Sequence, residues 1–444
     1  MNITNIYQPK RHIAIIESAR GFAALYVLMM HVVILLGLPT SLVEGSYTRL
    51  GVDLLLLYGH QAVLLFFVLS GFSIHYASVD RPLNHRQGIL HYYYLRWRRI
   101  YPIFFLAVIL TLGLDLYGST LSIKSYPQDL DTLSWQQLLF TFGFLTDRSY
   151  VDGILQPVLN SNGPLWSLSY EVFYYLLYPV YWQVNKRYGI TGCIAFGSIL
   201  SISSFSIGKL FGAQHFLNVM DLYIIWCLGA VLAEMHRRQI NSKLPIAIHT
   251  LIIYVLLQSA WVLENVTYTV GAFFEISWGI FFFFVMLLYL GKDKIQNIKP
   301  SHKALILIAA GIGYLVIIVG VEKLHLISHQ SLFYSRITMT LIMFGLGLYI
   351  SQLNMQSICN MLLKPVYRFG KSSYGIYVIH YPILLFITLA LPHFGISAWW
   401  CILFVPAILY AAHFVELRYQ PVMIHLMDPL AVRTGIMRPV REKK

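Results

Sequence analysis

Long apolar runs, parted by short polar and basic stretches, fill the chain from residue 13 to residue 415. Each approaches the length of roughly 20 residues that a helix needs to cross a hydrocarbon core. The runs predict spans over 13–38, 61–79, 100–118, 164–184, 190–211, 218–235, 245–264, 270–290, 303–321, 331–351, 373–391 and 396–415. The fold expected is all-α: a polytopic helical membrane protein of about 12 (10–12) transmembrane helices. An even number puts both termini on one side, and the basic tail "RTGIMRPVREKK" marks that side as cytoplasmic. Two stretches, "GVDLLLLYG" and "SWQQLLFTFGF", are apolar enough either to cross or to lie in the interface. The predicted organisation is one membrane domain over 1–415 and a short basic cytoplasmic tail over 416–444.

Composition supports the membrane assignment. The 444 residues are 57% hydrophobic, 15% aromatic and only 11% charged, with a mean hydropathy of +0.64. Soluble domains carry about a quarter charged residues. A net charge of +13 would suit nucleic acid, but its distribution follows topology instead. With the N-terminus inside, most Lys and Arg fall in cytoplasmic segments, which is the positive-inside bias. Arg49, Lys124, Arg148, Lys209, Lys323 and Arg336 fall outside, and Arg20 lies within the first span. The inner clusters "RWRR", "HRRQ" and "GKDK" sit where anionic lipid heads or an anionic cofactor can meet them.

The first span carries charge, runs too long and lacks a small-residue cleavage site, so it does not look like a cleaved signal peptide. Cys193, Cys227, Cys359 and Cys401 form no C-x-x-C pair and suggest neither a disulfide framework nor a metal site.

Ionisable groups at membrane depth are the candidate chemistry, because each costs about 2.5–3.5 kcal/mol on insertion scales. In "RGFAALYVLMMH", Arg20 and His31 are eleven positions apart, so they return to nearly one helix face roughly 16 Å apart. Glu17 lies one turn before Arg20 and is its expected ion-pair partner. Two readings stand: a snorkelling arginine with a packed histidine, or a functional stripe.

Arg96 and Arg99 in "YYYLRWRRIYP" project together one turn apart, either as an interface anchor or as a fork for phosphates. In "NSNGPLWSLSYEVFYYLLYP", Glu171 lies seven residues inside its span's outer end, the same depth as His31. A carboxylate there can orient an imidazole and stabilise its cation, or can be an inert packing bond. Ser167 shares that helix face. Ser70-Gly71 in "FFVLSGFSIHY" suits close helix packing, and Tyr374, Tyr377 and His380 form a polar stripe on the 373–391 span.

In their order along the chain these stretches resemble the acyltransferase-3 family of integral-membrane acyltransferases. "RGFAALYVLMMH" fits the family's Arg-x10-His, "FFVLSGF" its second-helix signature, and "RWRR" its Arg-x-x-Arg. "LWSLSYEVFYYLLYP" is similar to its Trp-Ser-Leu-Ser-x-Glu block, "SYGIYVIHYP" to its late Tyr-His-Pro block, and "VELRYQP" to its closing element. The resemblance spans roughly residues 15–420 and departs from some members in lacking a C-terminal esterase-like (SGNH) domain.

What the resemblance implies is transfer of an acyl group, commonly acetyl, from cytoplasmic acyl-CoA to a hydroxyl of a surface or lipid-linked glycan in a bacterial inner membrane. No tightly bound cofactor is expected; acetyl-CoA is a co-substrate. Arg20, Arg96 and Arg99 become its phosphate contacts. The implied general base is His31, assisted by Glu171. Ser70, Ser167, Tyr170, Tyr377 and His380 become candidates to touch acceptor or oxyanion, and the outer loop 119–163 to set acceptor choice. The rival class is a proton-coupled transporter or flippase, which also keeps His and Glu at depth. It is less favoured because no inverted repeat or paired broken helices appear.

Overall fold

The computed structural model describes residues 11–37, 58–123, 134–147, 156–159, 161–211, 219–240, 271–290 and 365–437. The predicted spans 245–264, 303–321 and 331–351, the cluster "GKDK" and, within the loop 119–163, residues 124–133, 148–155 and 160 lie outside them. Contacts divide the chain into two units, Met1–Val231 with Val366–Lys444, and Leu232–Pro365. The candidate site belongs to the first.

Helix is the expected answer to apolar sequence in lipid, where every backbone N–H and C=O must pair within its own segment. The first unit opens with α1 (Arg11–Leu35), α2 (Gly59–Ser78) and α3 (Arg86–Thr120). Next come a short α4 (Trp135–Phe142) and the long α5 (Trp166–Phe211). α6 (Tyr223–Arg237) follows, and in the second unit α7 (Gly271–Leu290). The chain re-enters the first unit with α8 (Ser373–His393), α9 (Val405–Phe414), a π-helical turn over Val415–Tyr419, and α10 (Gln420–Arg433).

The single departure from all-α among the described residues is a two-residue parallel ladder, Thr146–Asp147 (β1) against Gln156–Pro157 (β2). Local chemistry fixes the helix starts: the His85 ring accepts from Gly88 N–H (2.8 Å) at α3, and Ser134 accepts from Gln137 N–H (3.0 Å) at α4.

Seven described segments are long and apolar enough to cross a membrane. The other spans in the expected count of about 12 fall largely on residues outside the described ones. The two predicted spans 164–184 and 190–211 are joined into α5, whose 46 residues would reach roughly 70 Å if straight. Gly189, at φ 65° and ψ −157°, breaks it between those spans. Only a residue without Cβ adopts that conformation cheaply. The eight residues of α4 rise about 12 Å, too short to cross, and they leave Trp135 and Leu139 exposed. This favours the interfacial reading of "SWQQLLFTFGF".

Small residues set the helix approach. A Cβ on Gly71 would stand 2.0 Å from the Trp226 carbonyl oxygen, and one on Gly229 would stand 1.9 Å from that of Val68, so α2 and α6 touch backbone to backbone. Around that contact Tyr174, Tyr178, Tyr181, Tyr223 and Trp226 are fully buried. Three of the polar tips find partners: Tyr174 donates to the Val219 carbonyl (2.8 Å), the Tyr178 hydroxyl lies 3.2 Å from His75 Nδ1, and Trp226 Nε1 donates to Ser70 (3.3 Å). α1 packs on α2 and α8, and α8 in turn packs on α3 and α9. In the second unit, Glu234 takes Arg237 and Arg238 at 2.9 and 2.5 Å.

Candidate functional site

Five arginines converge on one cavity of about 370 Å³. Arg20 comes from α1, Arg81 from the turn between α2 and α3, and Arg96, Arg98 and Arg99 from the first turns of α3. Opposite them stand Ser167, Glu171 and Tyr175 of α5 with Tyr374 and Tyr377 of α8.

The arginines are not equivalent. Arg98 Nη1 donates to both carboxylate oxygens of Asp428, each at 2.7 Å, and Tyr94 donates to the same carboxylate at 2.8 Å. Arg99 donates to Glu416 in a short ion pair and to Gln420 Oε1 at 2.7 Å. Gln420 donates back to the Arg99 carbonyl, and Glu416 also accepts from Gly375 N–H at 2.8 Å. Arg20 lies 3.8 Å from Glu17, the expected partner. That leaves Arg81 and Arg96. Arg81 Nη1 and Arg96 Nε are buried and have no hydrogen-bond partner among the described residues. Burial, then the neighbouring charges of Arg96 and Arg98, pulls the Arg81 guanidinium below its ordinary value.

Arg96 and Arg99, expected to project together as an interface anchor or a phosphate fork, therefore differ in their partners. Arg99 is tied to the π-helical turn and to α10, because "VELRYQP" supplies a carboxylate and an amide to it. Its partner among arginines with donors to spare is Arg81, which no motif marked. The available signal was a basic residue ending the turn "VDRP" after a span.

Glu171 accepts from Ser70 Oγ at 2.6 Å and, in a short bond, from the Tyr175 hydroxyl. Trp226 Nε1 in turn donates to Ser70 at 3.3 Å. Ser70 thus holds the carboxylate, and Glu171 and Tyr175 both face the cavity. Ser167 Oγ and the Tyr377 hydroxyl are 2.6 Å apart, and both reach the Pro164 carbonyl (3.3 and 3.1 Å). Tyr170, a candidate to contact substrate, is buried and donates to Asp147 at 3.0 Å. It does not line the cavity.

His31 pairs elsewhere than expected. Its Nδ1 is 2.8 Å from Nε2 of His380, and its ring meets the edge of Tyr381. Glu171 has Ser70 and Tyr175 instead. The equal depths inferred from the two helix ends fix height but not direction, and the neighbours of α1 are α2 and α8. The sequence put His380 on a polar stripe without linking it to His31.

The two histidines do not line the arginine cavity. Tyr377 lies between, with its ring 6.1 Å from that of His380 and edge-on to Phe66 at 5.7 Å. Tyr377 and Phe66 both form cavity wall. The arrangement is a basic chamber, an aromatic partition, and an imidazole pair beyond it. Among the described residues no cluster of His, Cys, Asp or Glu could hold a metal ion.

A family model described as an acyltransferase domain (Acyl_transf_3) matches residues 13–299. No curated protein and no solved structure matches the chain.

Proposed function

Because the chain belongs to the acyltransferase-3 family and is a multi-pass membrane acyltransferase, we propose that it moves an acetyl group from acetyl-CoA to a hydroxyl of a lipid-linked or surface glycan. In this reading both termini face the cytoplasm of a bacterial inner membrane, and the basic chamber opens to it.

The observation that carries the proposal is the pair of buried, unpartnered guanidinium donors on Arg81 and Arg96 in a cavity rimmed by Arg20. Buried donors without partners cost free energy. An anionic ligand that supplied acceptor oxygens would recover it, and the arginine fork matches phosphate oxygens well. The diphosphate and 3′-phosphate of CoA bring several such groups. The acyl-bearing arm then runs past Glu171 toward Tyr377, whose movement aside would join chamber and histidines.

His31 is the general base. It takes the acceptor hydroxyl proton as that oxygen attacks the thioester carbonyl, and returns it to the departing CoA sulfur. Such positioned proton transfer contributes about 10²–10⁴-fold. Glu171, with Ser70 and Tyr175, shapes the wall along which the thioester passes.

The test is acetyl-CoA binding and turnover by protein in nanodiscs. Arg81→Gln and Arg96→Gln should each weaken acetyl-CoA binding by about tenfold, the value of one or two charge-assisted hydrogen bonds. Wild-type affinity in both variants, or no binding by the wild type, overturns the donor assignment. Loss of acetyl esters from surface glycan in a deletion strain would identify the acceptor.

A further inference from the structure

We infer that His380 is a positioning residue that fixes the tautomer of His31, and so selects which His31 nitrogen is the base. The inference rests on the proposed role of His31, but its geometry stands alone.

The argument follows from counting donors and acceptors. His380 is fully buried. Its Nδ1 lies 2.9 Å from the Ile376 carbonyl oxygen and 2.8 Å from that of Tyr377. Carbonyl oxygens only accept, so Nδ1 of His380 must carry a proton. A neutral imidazole holds one proton on its ring nitrogens, so Nε2 of His380 has a lone pair and accepts. Facing it at 2.8 Å is His31 Nδ1, which must then donate. The alternative, a doubly protonated His380, would set a cation in a fully enclosed position with no described carboxylate bonded to it. That is far costlier than a neutral network.

The consequence is directional. With Nδ1 of His31 protonated, its Nε2 holds the lone pair and becomes the basic atom. His31 is the less enclosed of the two rings, and both nitrogens of His380 are already engaged, Nδ1 by two carbonyls and Nε2 by His31. When Nε2 takes the acceptor proton, His31 becomes an imidazolium whose Nδ1–H still donates to His380. The lone pair of His380 stabilises that charge without receiving the proton. When the CoA thiolate leaves, Nε2 returns the proton and both rings regain their starting forms. No further acid, base or oxidant is needed. The role is the one a buried carboxylate plays behind a catalytic histidine, performed here by a neutral group. Backbone carbonyls of α8, in the turn preceding His380, set it in place.

The test begins with the unmodified protein. Selective ¹⁵N-histidine labelling in nanodiscs, with the His31 signals assigned by their loss in His31→Gln, reads the two ring nitrogens directly. The expected result is a protonated Nδ1 and a bare Nε2, the reverse of the usual preference of free imidazole. A protonated Nε2 on His31 overturns the inference. The variant arm compares His380→Leu with His380→Gln. The leucine should return His31 to a mixture of tautomers and lower kcat by about ten- to a hundredfold with KM for acetyl-CoA unchanged, as loss of an orienting partner does. The glutamine, whose amide oxygen can accept from Nδ1–H, should restore a substantial part of that loss. Equal kcat in leucine variant and wild type, or a fall seen only in KM, overturns the positioning role. Should His31→Ala keep full activity, the proposed base fails, while the tautomer reading is still decided by its own spectrum.

Discussion

The two ends of the site handle polarity in opposite ways. At one end five guanidinium groups crowd a chamber, and the carboxylates that answer them reach in from the π-helical turn and α10. At the other end two imidazoles meet with one hydrogen bond between them and two backbone carbonyls behind His380, with no acidic side chain in the network among the described residues. Charge is affordable where a cavity admits water or an anionic ligand. Deeper among apolar residues, a neutral pair with every lone pair and proton assigned costs far less. The difference fits the proposed division of labour, with anionic-donor affinity at one end and proton handling at the other, and Tyr377 and Phe66 between.

The largest expected effect breaks that division if it is false. His31→Ala removes the proposed base and should lower acyl transfer by about 10²–10⁴-fold, while acetyl-CoA affinity stays within about twofold, far below one bond's tenfold energy step. Turnover and isothermal binding on the same nanodisc sample measure both. A parallel fall in affinity would mean that the two ends are one, and wild-type turnover would remove His31 from the chemistry.

A smaller effect separates the arginines among themselves. Arg99→Gln leaves Glu416, whose side chain is 1% exposed, without its cation. Arg99 itself is 44% exposed, so solvent already screens part of the pair. The expected loss of stability is about 1.5–3 kcal/mol, the usual worth of a hydrogen bond to a charged group. Thermal unfolding in detergent should show it, and the double variant Arg99→Gln with Glu416→Gln should recover part of it. If Arg99→Gln left stability intact and abolished donor binding, Arg99 would belong with Arg81 and Arg96 after all.

These contrasts also show what could be read from the sequence. Helix position along the chain is a one-dimensional property that apolar run length marks: the described helices, the break at Gly189 and the close approach at Gly71 follow from residue type and spacing. The family resemblance likewise rested on local motifs in order, and the family match over 13–299 agrees with it. Direction around each helix is not in the run length. His31 and Glu171 lie equally far inside their predicted span ends but belong to helices whose neighbours differ, so the partner of His31 came from residue 380 instead. Arg99 met Glu416 and Gln420, more than 300 positions along, and motif spacing within α3 holds no trace of that encounter. Arg81 was missed because its neighbours in sequence are a turn, while its neighbours in space are the start of α3.

The smallest effect sharpens the comparison inside the chamber. Arg98 is as tightly bonded as Arg99, with two 2.7 Å contacts to Asp428, yet both side chains of that pair keep exposure, 24% and 32%. Water therefore competes for both ions, and the pair should contribute only about 0.2–1 kcal/mol. Asp428→Asn should accordingly shift unfolding little. It also releases Arg98 from a carboxylate at the edge of a cavity already crowded with positive charge. If the chamber binds a polyanionic donor, the variant should hold acetyl-CoA slightly more tightly at low ionic strength, and added salt should erase the gain as the Debye length shortens to about 8 Å at 0.15 M. Tighter binding in low salt alone supports electrostatic capture. Weaker binding would mean that the Asp428 pairing holds Arg98 in the geometry the ligand needs, and the fixed pairs and the free arginines would then work as one device.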